Sequence, residues 1–347
     1  ITPMPANIIS TDQTTQIIAI TNDILIVNQN IDVAVNGDNA ITGDTLSEAF
    51  IRIYGDVIAF GGAAIAVTAF NASAIFIGAE ASLYGSTSAI SLEGNKNGIV
   101  NNGTVDAWGA SSVALTGTEN VYTNNGFTGG FNLAVLVDGA ANAIVNNGTM
   151  RVTSVDSDFP TSNAAGTLTF ASETGENNTL DNFGTISGPE LAIYGGAGNE
   201  FIENFGVIRG DIVLGEGDDI IVNTFGRIVG DVDLGGGDDQ YAGGPGDFVN
   251  GVTGGAGNDT YFLKGQLTAI REAVDGGDDL IQIDVNAHLA ANVENLILLG
   301  ANDINGTGNV LSNQIVGNSG DNRLLGRGGV DVLQGAAGAD LINGGTG

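Results

Sequence analysis

Asp219, Asp239, Asp259 and Asp279 each close a glycine-rich turn, and their positions advance by a constant step of 20. The turns read Leu214-Gly-Glu-Gly-Asp-Asp219, Leu234-Gly-Gly-Gly-Asp-Asp239, Gly254-Gly-Ala-Gly-Asn-Asp259 and Val274-Asp-Gly-Gly-Asp-Asp279. A fifth turn, Gly195-Gly-Ala-Gly-Asn-Glu200, precedes Asp219 by almost the same step. A fixed period that keeps glycines and carboxylates in phase is a structural repeat. It requires one unit to stack on the next and sets the carboxylates in a row.

A second repeat lies upstream in a different phase. Val100-Asn-Asn-Gly-Thr-Val105 recurs as Thr123-Asn-Asn-Gly126 and Val145-Asn-Asn-Gly-Thr-Met150. It continues as Asp181-Asn-Phe-Gly-Thr-Ile186, Glu203-Asn-Phe-Gly-Val-Ile208 and Asn223-Thr-Phe-Gly-Arg-Ile228. Its glycines fall at positions 103, 126, 148, 184, 206 and 226, so one interval is much longer than the rest. Short alternating apolar segments, such as Ala143-Ile-Val145 and Asp211-Ile-Val-Leu214, run between them, bounded by Gly or Asn. A lone Asn-Gly pair reads as a hairpin turn. Six copies in phase instead describe the rungs of a parallel β-helix, two or three short strands to a turn, rising about 4.8 Å per rung. Asn102, Asn125, Asn147, Asn182 and Asn204 are then expected to stack as a hydrogen-bonded ladder, with Phe183, Phe205 and Phe225 stacked beside them.

Composition fits an all-β chain stabilised by packing or metal. Of 347 residues 56 are Gly and none is Cys, so no disulfide framework is available. The apolar residues are mostly Ile, Val, Leu and Ala, which favours strands and a thin aliphatic core. The expected organisation is an irregular rung or cap over 1–50 and a right-handed parallel β-helix over 51–260 with an insertion at 154–178. A shorter-period roll over 261–347 follows, truncated at its C-terminal end. No apolar run is long enough for a transmembrane span, and no leader peptide is evident. The formal net charge of −31 argues against nucleic acid and against an anionic membrane surface. Its natural complement is a divalent cation. Carboxylates stacked about 5 Å apart repel by about 1 kcal/mol even at the dielectric of water. Between Asp211 and Asp239 eight acids face one base, Arg227. The alternative is that each Asp caps a solvated turn through its own backbone.

From Gly317 the period shortens to nine: Gly317-Asn-Ser-Gly-Asp-Asn322, Gly326-Arg-Gly-Gly-Val-Asp331 and Gly335-Ala-Ala-Gly-Ala-Asp340. Such nonapeptides resemble the calcium-binding repeats of the repeats-in-toxin family. The stretch Gly254–Gly347, with Ala291-Asn-Val-Glu-Asn-Leu296 and Asn305-Gly-Thr-Gly-Asn309, looks like a unit of large secreted proteins of that family. The resemblance implies a β-roll in which two nonapeptides make one coil. Turn glycines such as Gly257 would aim carbonyls at Ca²⁺ while Asp219, Asp239, Asp259, Asp279, Asp331 and Asp340 supply carboxylates. Asp218, Asp238 and Asp278 adjoin them and complete the expected ligand set. Asn318, Arg327 and Ala336 stand where the family pattern has its second glycine, and Asn322 stands where it has Asp. Weaker binding is expected there. The spacing of 20, against the family's 18, makes 195–259 a β-helix with calcium turns rather than a β-roll.

Catalytic signals are sparse. His288 is the single histidine, too few for a zinc protease, and no Gly-x-Ser-x-Gly elbow occurs. Two lysines and seven arginines are a thin supply for a polysaccharide-acting β-helix enzyme. Trp108 reads as a packing residue. The expected function is non-enzymatic: a calcium-rigidified extracellular or cell-surface structural protein that self-associates into a surface layer, filament or stalk. Export by a type I channel is what the resemblance implies. The alternative is a calcium-dependent adhesin for a cell-surface glycan, using the loop at 154–178.

Overall fold

The computed structural model describes residues 6–9, 17–18, 24–29, 31–36, 39–44, 49–152, 166–171, 177–245, 247, 249–266 and 268–346. Among them every regular element is a strand, and the strands pair in parallel, turn upon turn, as a β-solenoid. The chain divides into two compact units, residues 1–198 with 207–210 and residues 199–206 with 211–347.

Each turn of the first unit has three short strands. Phe50–Ile53, Ala74–Ile77, Gly98–Asn101, Val121–Asn124 and Ala143–Asn146 stack as one wall. Asp56–Ala59, Ser82–Gly85 and Thr104–Ala107 stack as a second. Ile65–Thr68, Ile90–Glu93 and Val113–Thr116 make the third. The reason is the period-2 alternation. Ile51, Ile53, Ile75 and Ile77 point inward and are buried, as are Val57, Leu83, Ile65 and Ile90. Each such side chain contributes about 1.5–3 kcal/mol. A shift by a single position would turn every one of them to solvent, so the register is firmly set. The described part of 1–50 follows the same pattern, with Ile24–Val27 paired to Phe50–Ile53.

The offset between turns is 24 at Ile53↔Ile77, 23 at Asn101↔Asn124 and 22 at Asn124↔Asn146. It rises to 36 at Asn146↔Asn182. Within 154–178, Leu168–Phe170 is a regular strand paired with Val135–Val137. Residues 153–165 and 172–176 lie outside the described residues, so most of the expected loop is not described here.

At the Asn-Gly turns of this unit two asparagine ladders run side by side rather than the one expected. Asn101, Asn124, Asn146 and Asn182 form a buried ladder, each amide donating to the next Oδ1 at 2.8–2.9 Å. Asn102, Asn125 and Asn147 form a separate ladder one position outward, also with bonds of 2.8–2.9 Å. Asn182 therefore belongs with the inner set, and Phe183 takes the outer position.

The second unit keeps an offset of 20 at Ile220↔Gln240, Gln240↔Thr260 and Thr260↔Leu280. The offset falls to 15 at Leu280↔Asn295, then is 19 at Asn295↔Gln314. The last coil has an offset of 18 on both of its walls, Gln314↔Val332 and Arg323↔Leu341, so two nonapeptides make one coil. The core of the second unit includes large aromatics as well as aliphatics. Tyr241 and Tyr261 are fully buried, and Phe70, Tyr122 and Phe170 are likewise buried in the first unit. The thin aliphatic core expected from composition thus needs correction. Phe205 and Phe225 stack on the surface, with centroids 6.4 Å apart and planes 10° from parallel. Trp108, read as a packing residue, is instead 62% exposed.

Candidate metal centre

The residue that ends each Gly-Asp turn sits immediately before a core strand, where the chain bends inward. Asp219, Asp239, Asp259 and Asp279 are accordingly buried, at 0–1% exposure. One carboxylate oxygen of each is used in holding turns together. The Asp219 N–H donates to Asp239 Oδ1 (2.7 Å), Asp239 N–H to Asp259 Oδ1 (2.9 Å) and Asp259 N–H to Asp279 Oδ1 (2.9 Å). The Asp279 N–H donates to Glu294 Oε2 (3.0 Å). The other oxygen is the point of interest. Among the described residues no donor reaches Oδ2 of Asp219, Asp239, Asp259, Asp279 or Asp331.

A buried acceptor without a donor costs about 1–3 kcal/mol, and more if it is charged. Four in consecutive turns is a cost the fold does not otherwise offset. Burial disfavours the charged form of each carboxyl. Burial pushes the Asp219 carboxyl up to about 8, with Glu200 and Asp218 adding repulsion. Burial does the same to Asp239, to about 8, to Asp259, to about 7, and to Asp279, to about 6. Either protons or a cation must supply the missing positive charge.

At one place the acids converge. A carboxylate oxygen from each of Asp259, Glu272 and Asp279 lies within 4.8 Å of the others. The Tyr261 hydroxyl joins them by donating to Glu272 Oε1. Gly254 makes the room: a Cβ there would collide with the Tyr261 hydroxyl, Asp259 Oδ2 and Glu272 Oε1 together. Glu272 is itself pushed up to about 7, chiefly by burial. An all-oxygen donor set of this kind suits a hard divalent cation.

The other expected ligands fall into separate columns. Asp218, Asp238 and Asp278 are exposed, in a row with Asn258. Here the bonds run the opposite way: Asp238 N–H donates to Asp218 Oδ1 (2.9 Å) and Asn258 N–H to Asp238 Oδ1 (2.7 Å). Gly257 holds a left-handed turn, φ 123°, stacked so closely on Gly237 that a Cβ would strike the Gly237 carbonyl. Asp331 continues the inner column, accepting from Asn313 N–H (2.9 Å). Asp340 stands on another wall of the coil, accepting from Asn322 N–H (2.9 Å).

The expected weak turns are chemically different. Asn322 stands where an Asp would, and its Nδ2 donates to Ile304 O (2.7 Å) and Asn318 Oδ1 (2.9 Å). Arg327 and Ala336 keep the glycine backbone, with φ of 78° and 65°, at a strain cost of about 1–2 kcal/mol each.

An equivalent column exists in the first unit and escaped the sequence reading. Asn97 N–H donates to Asn120 Oδ1 (3.1 Å), Asn120 N–H to Asn142 Oδ1 (2.9 Å) and Asn142 N–H to Asn178 Oδ1 (3.0 Å). These are the bonds of the Asp column, made by asparagine. The second side-chain atom is now a donor. Asn120 Nδ2 donates to Gly94 O (2.9 Å), and Asn142 Nδ2 to Gly117 O (3.0 Å) and Gly139 O (2.9 Å). The signal was available as Gly94-Asn-Lys-Asn97, Gly117-Thr-Glu-Asn120 and Gly139-Ala-Ala-Asn142. Glu272 had no repeat phase to reveal it, because Thr253 pairs with Arg271 at an offset of 18 instead of 20.

What fold and site define is a parallel β-solenoid with an acidic, donor-poor column in its second unit. The chain matches no protein-family model, no curated protein and no solved structure.

Proposed function

We propose that the chain is a non-enzymatic extracellular structural protein, a solenoid of a surface layer, filament or stalk whose second unit is rigidified by calcium. The row of donorless buried oxygens at Asp219, Asp239, Asp259 and Asp279 carries this reading. Ca²⁺ takes six to eight hard oxygen ligands in adaptable geometry, which the carboxylates, the Tyr261 hydroxyl and the glycine turns can supply. Mg²⁺ demands stricter octahedral geometry and retains its water, so it suits a stacked column less. A chain that needs calcium here would remain loose where the ion is scarce and tighten outside the cell. The resemblance to secreted calcium-binding repeat proteins agrees with that order of events and with type I export. Self-association is the natural use of a solenoid, since a strand edge invites another strand.

Equilibrium dialysis against calcium tests the reading. Uptake of several ions per chain is expected, displaced by chelator and reduced by Asp259→Ala or Asp279→Ala. No uptake at millimolar calcium would sink it. Electron microscopy with and without calcium tests assembly separately.

A further inference from the structure

We infer that the first unit carries a binding groove for an acidic sugar residue, on the outer face of the wall formed by Phe50–Ile53, Ala74–Ile77 and Gly98–Asn101. The groove is about 330 Å³ and its floor and sides include Phe50, Arg52, Tyr54, Phe76 and Gly98. That volume suits one or two small rings. It exists because Gly98 interrupts a row of outward side chains: a Cβ at Gly98 would meet nothing within 4 Å.

The aromatic walls are held in place. The Tyr54 ring lies over bare Gly78, where a Cβ would come within 2.9 Å of it. Its centroid is 5.9 Å from that of Phe76, with the planes tilted by 53°. Phe50 is 41% and Tyr54 37% exposed, so ring surface is open to solvent. Aromatic faces of this kind pack against the C–H face of a pyranose.

Arg52 supplies the charge. It lies in register between Ile26 and Phe76, exposed, and no carboxylate pairs with it among the described residues. Among the described residues the groove lining contains no acid. In a chain of net charge −31 an arginine with no carboxylate beside it among the described residues, set in an apolar groove, is complementary to a carboxylate ligand, which its planar fork binds in bidentate fashion. The net negative field is screened beyond about 8 Å at physiological salt, so Arg52 governs the groove locally.

Other occupants fit less well. Phe50–Ile53 and Ala74–Ile77 are paired on both sides, leaving no backbone edge for an added peptide strand. A second copy would bring the same net negative charge and the same arginine. A ring with an apolar face and one carboxylate, a uronic or sialic acid unit, uses every feature present. The groove belongs to the first unit and is independent of the calcium reading.

Calorimetric titration of the whole chain with trigalacturonate and sialyllactose, against maltotriose and lactose, decides the matter. Acidic probes are expected to bind at about millimolar Kd or tighter, at least about tenfold better than neutral ones. Binding should be the same in chelator. Gly98→Val puts a side chain on the floor, where a Cβ meets nothing within 4 Å, and should lower affinity about tenfold or more with the melting temperature little changed. Arg52→Gln should remove the preference for acidic probes. Failure of both acidic probes to bind overturns the inference, as does binding that Gly98→Val and Arg52→Gln both leave intact. Loss of binding in chelator would also contradict it, whereas absent calcium uptake would leave the groove standing.

Discussion

In the turn position just before a core strand, the first unit places Asn97, Asn120 and Asn142 and the second places Asp219, Asp239, Asp259 and Asp279. Both sets accept the backbone N–H of the neighbouring turn through Oδ1. They differ in one atom. Asparagine presents an N–H that turn carbonyls accept, and aspartate presents an oxygen with no donor. In the first column the Nδ2 groups of Asn97, Asn120 and Asn142 all find acceptors, and only Asn178 Nδ2 is left without one among the described residues. The second needs protons or a cation, and stacked carboxylates one turn apart repel by about 3 kcal/mol at an intermediate dielectric of about 20. A single substitution type thus separates a self-sufficient solenoid from a metal-dependent one. Asn313, Asn318 and Asn322 repeat the lesson inside the second unit, where their amides are satisfied by nearby carbonyls and side-chain oxygens.

The largest way to break the comparison is to remove calcium. A site saturated a hundredfold above its Kd stabilises by about 2.7 kcal/mol. Several sites make on the order of 10 kcal/mol, or roughly 30 °C of melting temperature for a unit this size. Calorimetry in chelator should therefore split one transition into two, the lower belonging to the second unit. Exchanging the residue types comes next. Asn120→Asp removes a donor from Gly94 O and should cost about 3 kcal/mol in chelator, measured by denaturant unfolding. The reverse change, Asp239→Asn, should stabilise the calcium-free chain by about 1–3 kcal/mol while reducing the gain on adding calcium.

Acidity sharpens the same contrast. The folded carboxyls at Asp219 and Asp239 are raised to about 8, above the unfolded value near 3.8. The folded state therefore binds more protons than the unfolded state between these limits, and stability falls as pH rises through them. In chelator the second unit should melt highest near pH 4–5 and lowest above pH 8. Saturating calcium should flatten or invert that slope, because the ion competes with the protons. A chelated melting temperature that rises from pH 5 to pH 8 would contradict the buried, donorless state of the column.

Much of this was legible in the sequence because a repeat multiplies a weak local signal. The constant period of Asp219–Asp279 and the Asn-Gly turns at 103, 126 and 148 correctly indicated stacked parallel strands. The stacking of Phe205 on Phe225 followed from the same phase. The asparagine ladder was misphased because Asn101 and Asn102 are adjacent, and sequence alone does not say which of the pair turns inward. The column at Asn97, Asn120 and Asn142 passed as ordinary turn chemistry, since an amide, unlike a carboxylate, carries no charge to draw notice. Glu272 and Tyr261 could not be brought to Asp259 from the sequence. Their meeting depends on a change of turn length after Gly254 and on a bare glycine surface.

Hydrogen–deuterium exchange of the whole chain, with calcium and with chelator, tests the central difference most directly. The account predicts that Ile220–Asn223, Gln240–Gly243 and Thr260–Leu263 lose protection in chelator by several orders of magnitude. Gly98–Asn101, Val121–Asn124 and Ala143–Asn146 should keep theirs. Equal loss in both sets of strands, or no loss in either, would contradict it.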